Sequence, residues 1–194
     1  NDQGDLHGIN VNTQEKVRVK AKELNYKPNP MARGLRTGKT NTLGLIVADI
    51  ANPFYALMAR GIEDYASKKG YNLIFASSDE NAQREKELVS MLRDRQVDGI
   101  IVSTTLEKGD LSVYEEMIKE EYPFVFVDRY IPSFECDFVI GDNEKGAFDL
   151  TTHLIKSGKR KIALLTISPS HLSSINDRIR GYRAALSSYA MEEI

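Results

Sequence analysis

Two pairs of neighbouring carboxylates, Asp79/Glu80 and Asp142/Glu144, have the type and spacing that general acid–base chemistry uses. Each pair sits where a loop runs into a helix. The helix dipole favours acidic side chains there without any catalytic role. No nucleophile, metal set or phosphate loop accompanies them. The single cysteine, Cys136, excludes an intrachain disulfide, and the three scattered histidines, His7, His153 and His171, give no zinc spacing. There is no G-x-x-x-x-G-K-[ST] and no G-x-S-x-G, and "ADIANPFY" stands where a dinucleotide fold would carry G-x-G-x-x-G. The expectation is a protein that is not an enzyme, with no catalytic residues, no metal and no cofactor.

The chemistry that remains is cationic and local. The net charge of −2 hides an asymmetry: residues 11–40 carry eight basic side chains and two acidic ones, a net +6, so the rest carries −8. A basic arm on an acidic body points to nucleic acid or an anionic surface. No apolar run approaches the ~20 residues of a membrane helix. Asn1 to Asn10 are polar with no signal-peptide core, so the expected location is the cytoplasm, with no membrane partner.

The elements that must position these groups follow from pattern. Residues 11–26 read as a helix with Asn12 as cap, Glu15 at the capping-box position, and Val17, Ala21 and Leu24 on one narrow face. Pro28 and Pro30 stop it. "MARGLRT" (31–37) is short of helical propensity and would order only against a partner, with Gly38 able to end it. From Thr42 onward strands and helices alternate. Strands are expected at 42–48, 71–77, 97–103, 123–128, 137–141 and 161–166. Helices are expected at 53–69, 82–95, 110–121, 143–157 and 176–190. The helix at 53–69 is expected to bury Phe54, Leu57, Met58, Gly61, Ile62 and Tyr65. That at 82–95 should bury Leu88, Met91 and Leu92, and that at 143–157 Ala147, Leu150, Leu154 and Ile155. This alternation predicts a doubly wound parallel α/β sheet, with ligands at the carboxyl ends of the strands.

Several separated blocks resemble one family. "VNTQEKVRVKAKELNYKPNPMARGLRTGKTNTLGLIVADIANPFYALMARGIEDYASKKGYNL", "RQVDGIIV", "VFVDR", "HLIKSGKRKIALL" and "DRIRGYRAAL" are similar to the lactose-repressor/galactose-repressor family of bacterial transcription regulators. The resemblance implies a helix-turn-helix headpiece, a hinge helix and a two-lobed core of the periplasmic-binding-protein type. On it, 1–28 is a partial headpiece, 29–40 the hinge, 41–142 the N-terminal lobe and 143–194 the start of the C-terminal lobe. "NDQGDLHGIN" lacks the amphipathic period and the base-reading motif that the family places before its third helix. The strands completing the second lobe do not follow. A partial version of a longer repressor is therefore expected.

The implied function is a transcriptional repressor whose operator affinity is controlled by a small effector, a sugar or sugar derivative. The alternative is a periplasmic-type sugar-binding protein without DNA binding. The implied partners are operator DNA, the effector and a second copy of the chain, with the helix at 53–69 at the dimer interface. Leu35 matches a hinge leucine that wedges between base pairs in the minor groove, and Asn29, Ala32, Arg33 and Arg36 match hinge positions that touch groove or backbone. Phe54 and Tyr55 match positions at the effector cleft, one packing on the ligand and one in the core. Asp128, at the end of the fourth strand, is placed to bind sugar hydroxyls. Arg178 matches an arginine that reaches the effector from the other lobe, with Ser174 nearby.

Overall fold

The structure is a computed structural model that describes residues 8–26, 38–106, 108–132, 134–166 and 172–193. The chain separates into two contact units, Asn1–Thr40 and Asn41–Ile194. The first contains helix α1 (Val11–Glu23). Its cap is Asn10 rather than Asn12: the Asn10 side chain accepts the Asn12 N–H at 2.9 Å. The cap thus lies two residues earlier than expected, and Glu15 instead makes a loose exposed ion pair with Arg18 at 3.7 Å. No residue of α1 is buried, and Val17 and Leu24 on its apolar face stay exposed. Residues 27–37 lie outside the described residues, and with them the expected hinge positions Asn29, Ala32, Arg33, Leu35 and Arg36.

The second unit holds a five-stranded, wholly parallel sheet in the order β2-β1-β3-β4-β5. The strands are β1 (Thr42–Val47), β2 (Asn72–Ser77), β3 (Gly99–Val102), β4 (Phe124–Val127) and β5 (Phe138–Val139). Between them run α2 (Pro53–Lys68), α3 (Ala82–Asp94) and α4 (Ser112–Lys119), followed by α5 (Asn143–Lys156) and α6 (Ser173–Ser188). Unbroken apolar runs such as "GLIV" suit strands covered on both faces, and Leu45, Ile46 and Val47 are fully buried. One core lies against α3 and α4, with Ile46, Val89, Leu92, Ile100, Val102, Tyr114 and Phe126. The other lies against α2, with Leu45, Val47, Ala48 and Tyr55.

The helix boundaries follow local chemistry. Asn52 caps α2 by accepting the Phe54 N–H, with Pro53 at the first helical position. Asn81 caps α3 through the Arg84 N–H, and Asp142 caps α5 through the Lys145 N–H. These side chains occupy donors that have no partner within the helix.

Two helix faces depart from expectation, and a third keeps to it while burying more. α2 turns Tyr55, Met58, Ala59, Ile62 and Ala66 to the sheet and leaves Phe54, Leu57 and Tyr65 exposed. It is apolar on more than one side, so periodicity alone does not select the buried stripe. α3 turns Leu88, Met91 and Leu92 to the core as expected, and buries Val89 and the charged Glu85 as well. α5 buries Thr151 and Ile155 and exposes Leu150.

A further departure concerns 161–166, which form no strand. A strand is stable only as part of a ladder, and the sheet ends at β5. Ile162 instead packs with Ile155, Tyr182 and Leu186, and its carbonyl accepts the Tyr182 hydroxyl at 2.8 Å. Leu165 is left 98% exposed.

Candidate functional site

The candidate site forms where the carboxyl ends of β1, β3 and β4 meet the first turns of α6. Because Asn52 fixes the first turn of α2, consecutive residues there point about 100° apart. Tyr55 turns inward and is 3% exposed, whereas Phe54 turns outward and is 51% exposed. Their rings meet edge to face, 5.2 Å apart.

The Tyr55 hydroxyl is the floor of the cleft. It donates to Asp128 Oδ2 at 3.2 Å and accepts from Ser103 Oγ, at the end of β3, at 3.4 Å. Burial pushes the Tyr55 phenol up to about 12, so it stays a neutral donor at neutral pH. Asp128 follows β4 in the left-handed conformation, φ 65°, a region that Asp tolerates better than most residues. Burial raises its carboxyl above the ordinary range, while the Tyr55 hydrogen bond and the Arg129 and Arg178 charges pull the other way.

Arg129 is buried, yet its partner is remote in sequence. The Arg129 guanidinium donates through both terminal nitrogens to the two oxygens of Glu80, each at 2.7 Å. Its Nε lies 3.9 Å from Asp128 Oδ2, and its carbon sits 6.0 Å from the Tyr55 ring centre. The opposite wall is α6. The Ser173 hydroxyl accepts the Tyr130 N–H at 3.0 Å, tying this helix to the loop after β4. Arg178 Nε donates to Asn143 Oδ1, at the start of α5, at 2.9 Å.

Together these walls enclose a cleft of about 270 Å³. Phe54, Tyr55, Asp128, Ser174 and Arg178, the five residues expected at an effector site, all line it, and so do Asn52, Arg129, Leu172 and Ile175. Phe54 is exposed and Tyr55 buried, and both reach the cleft. Arg129 was visible only as a neighbour of Asp128; nothing local links it to Glu80. The cleft offers a half-buried carboxylate, a neutral hydroxyl donor, an apolar wall and an arginine fork, which is chemistry for binding a small polar molecule. A larger depression of about 520 Å³ along Lys86, Ser90 and Arg95 is an open surface on α3. It gives a ligand no second wall. Among the described residues no group of three or more His, Cys, Asp or Glu side chains could hold a metal ion, and no helix is long and apolar enough to cross a membrane.

Residues 40–193 match the family described as periplasmic binding proteins and sugar binding domain of the LacI family. The chain belongs to that family. Among its relatives, the HTH-type transcriptional regulator RegA of Clostridium saccharobutylicum is 34% identical over 183 residues, covering 94% of this chain and 54% of RegA. Catabolite control protein A of Priestia megaterium is 36% identical over 180 residues, covering 92% and 53%. The crystal structure of the Cra transcriptional dual regulator from Pseudomonas putida, in complex with fructose 1-phosphate, superposes with a TM-score of 0.72 at 33% identity, covering 79% of this chain and 56% of that one. This LacI-family chain thus spans about half the length of the relatives it matches.

Proposed function

We propose that the chain belongs to a DNA-binding transcriptional repressor of the cytoplasm whose operator affinity is set by a small sugar-type effector held in the cleft. The observation that carries this reading is the convergence of β-strand loops and α6 on one enclosed, polar-floored cleft. Family membership supports it, as do the regulator names of the relatives and the basic charge of residues 11–40. A ligand touching both Asp128 and Arg178 would bias how α6 sits against the sheet. It shifts DNA affinity only through unequal affinity for the two arrangements.

A second copy of the chain completes the switch. Leu57 and Tyr65, outside the cleft lining, form an exposed stripe along α2, spaced as one helix face. This stripe is the proposed homodimer contact, and it would bring two hinges side by side. Leu35 would then wedge into the minor groove, flanked by Asn29, Ala32, Arg33 and Arg36, with the lysines of 11–27 supplying phosphate contacts.

Electrophoretic mobility shift of the intact protein on a palindromic site, across a salt series and with a panel of sugars, tests this. The expected result is tight, salt-dependent binding that one class of sugar changes at least tenfold. Affinity no greater than for random DNA would instead favour a sugar-binding protein without an operator.

A further inference from the structure

We propose that Glu80, which lies outside the cleft lining, sets the charge of the ligand: by holding Arg129 it keeps the cleft electrically balanced and selects a neutral polyol over its phosphate ester. This inference rests on the cleft being the effector site.

The lining carries three formal charges, Asp128, Arg129 and Arg178. Two arginines against one carboxylate would form an anion site. Glu80 changes that balance. Its carboxylate takes both terminal nitrogens of Arg129 in a fork, and the remaining nitrogen faces Asp128. A fork on a carboxylate uses the same donors that a phosphate would use. The Arg129 side chain is 7% exposed and that of Glu80 48%, so the arginine end of the pair is shielded while water reaches the Glu80 end.

The turn that delivers Glu80 is fixed on several sides. Asp79 and Glu80 are consecutive non-glycine residues in the left-handed conformation, at φ 53° and 55°. The Glu80 N–H donates to the Ala48 carbonyl at 2.9 Å. Asp79 accepts from Ser77 and from Arg84, each at 2.6 Å. The contacts on Asp79 and the Glu80 backbone hold the turn, so Glu80 meets Arg129 as a preset partner.

What is left for a ligand is one acceptor pole and one donor pole. Asp128 is half-buried, its side chain 15% exposed, and its nearest hydrogen-bond donor is the Tyr55 hydroxyl. A phosphate brought beside it meets like charge where solvent screening is weak. Arg178 has no carboxylate within ion-pair distance among the described residues, but it is exposed, and a single exposed cation contributes little in water. A sugar hydroxyl can donate to Asp128 while its neighbours accept from Arg178 and Ser174. The relative solved with fructose 1-phosphate shows that phosphorylated ligands occur on this fold, so the ester is a real competitor in the test.

Isothermal titration of the intact protein with neutral pentoses and hexoses, and with their monophosphate esters, tests the assignment. The wild type should bind at least one neutral sugar and bind its ester at least tenfold more weakly. Glu80→Gln should narrow that preference at least tenfold, and Glu80→Gln/Arg129→Gln should restore it; circular dichroism checks that each variant is folded. An unfolded single variant moves the test to the wild-type ratio and to Glu80→Asp, which keeps the charge and should keep the preference. Tighter binding of the ester by wild type, or a preference indifferent to Glu80→Gln, overturns the assignment while leaving the cleft as an effector site. Binding of no sugar and no ester removes the effector-site reading, and this inference with it.

Discussion

Gly181→Ala places a methyl group where the structure has no room. Gly181 lies mid-way along α6 against the start of α5, and an added Cβ would fall 2.0 Å from the Glu144 carbonyl oxygen and 3.0 Å from the Phe148 backbone nitrogen. Ordinary contact begins near 3.4 Å, so the two helices must separate by more than ~1 Å at this point. The obstructing atoms are backbone and cannot rotate aside. Overpacking of this kind costs about 3 kcal/mol at the upper end of its usual range. Alanine in a helix interior recovers about 1 kcal/mol over glycine, so the net expectation is a loss of about 2 kcal/mol. In a domain of this size that lowers Tm by roughly 4–8 °C. Ser174 and Arg178 ride on α6, and Asn143, which holds Arg178 at 2.9 Å, begins α5. Opening the pair should therefore also weaken sugar binding. Thermal unfolding followed by circular dichroism gives the sign directly. An unchanged or raised Tm would mean that helix propensity dominates, and the close approach of α5 and α6 would be refuted.

Other substitutions separate stability from binding. Asp128→Asn keeps shape and tolerates φ 65° while removing a half-buried charge. It should raise Tm and abolish sugar binding, and a lower Tm would show that the ionised carboxylate is well compensated. Tyr55→Phe tests the phenol. The folded state holds this proton up to about pH 12, whereas the unfolded chain releases it near pH 10, so stability is full below 10 and falls as pH rises to 12. Wild type should lose about 2–3 kcal/mol more than Tyr55→Phe across that window in urea titrations, and equal losses would sink the assignment. Glu85 is fully buried, accepting from Thr104, from the Thr105 N–H and hydroxyl, and from Tyr114. Glu85→Gln sets an amide N–H₂ against those donors and should cost about 2–4 kcal/mol; urea midpoints that do not move would show the network to be dispensable.

The local sequence was enough for the alternation of strands and helices from 42 to 157, but the one cap it named, Asn12, lies two residues late. The alternation depends on residues within a turn of one another. The resemblance to the repressor family named Phe54, Tyr55, Asp128, Ser174 and Arg178, and the chain brings all five to one cleft. Only the tertiary structure decided the rest. α2 is apolar on more than one side, so which stripe it buries depends on the sheet it meets. Glu85 reads as a surface charge until Thr104, Thr105 and Tyr114 close around it. Residues 161–166 have strand composition but no neighbour to complete a ladder. Glu80 and Arg129 stand 49 residues apart, and periodicity carries no term for a pair that only folding brings within hydrogen-bond reach.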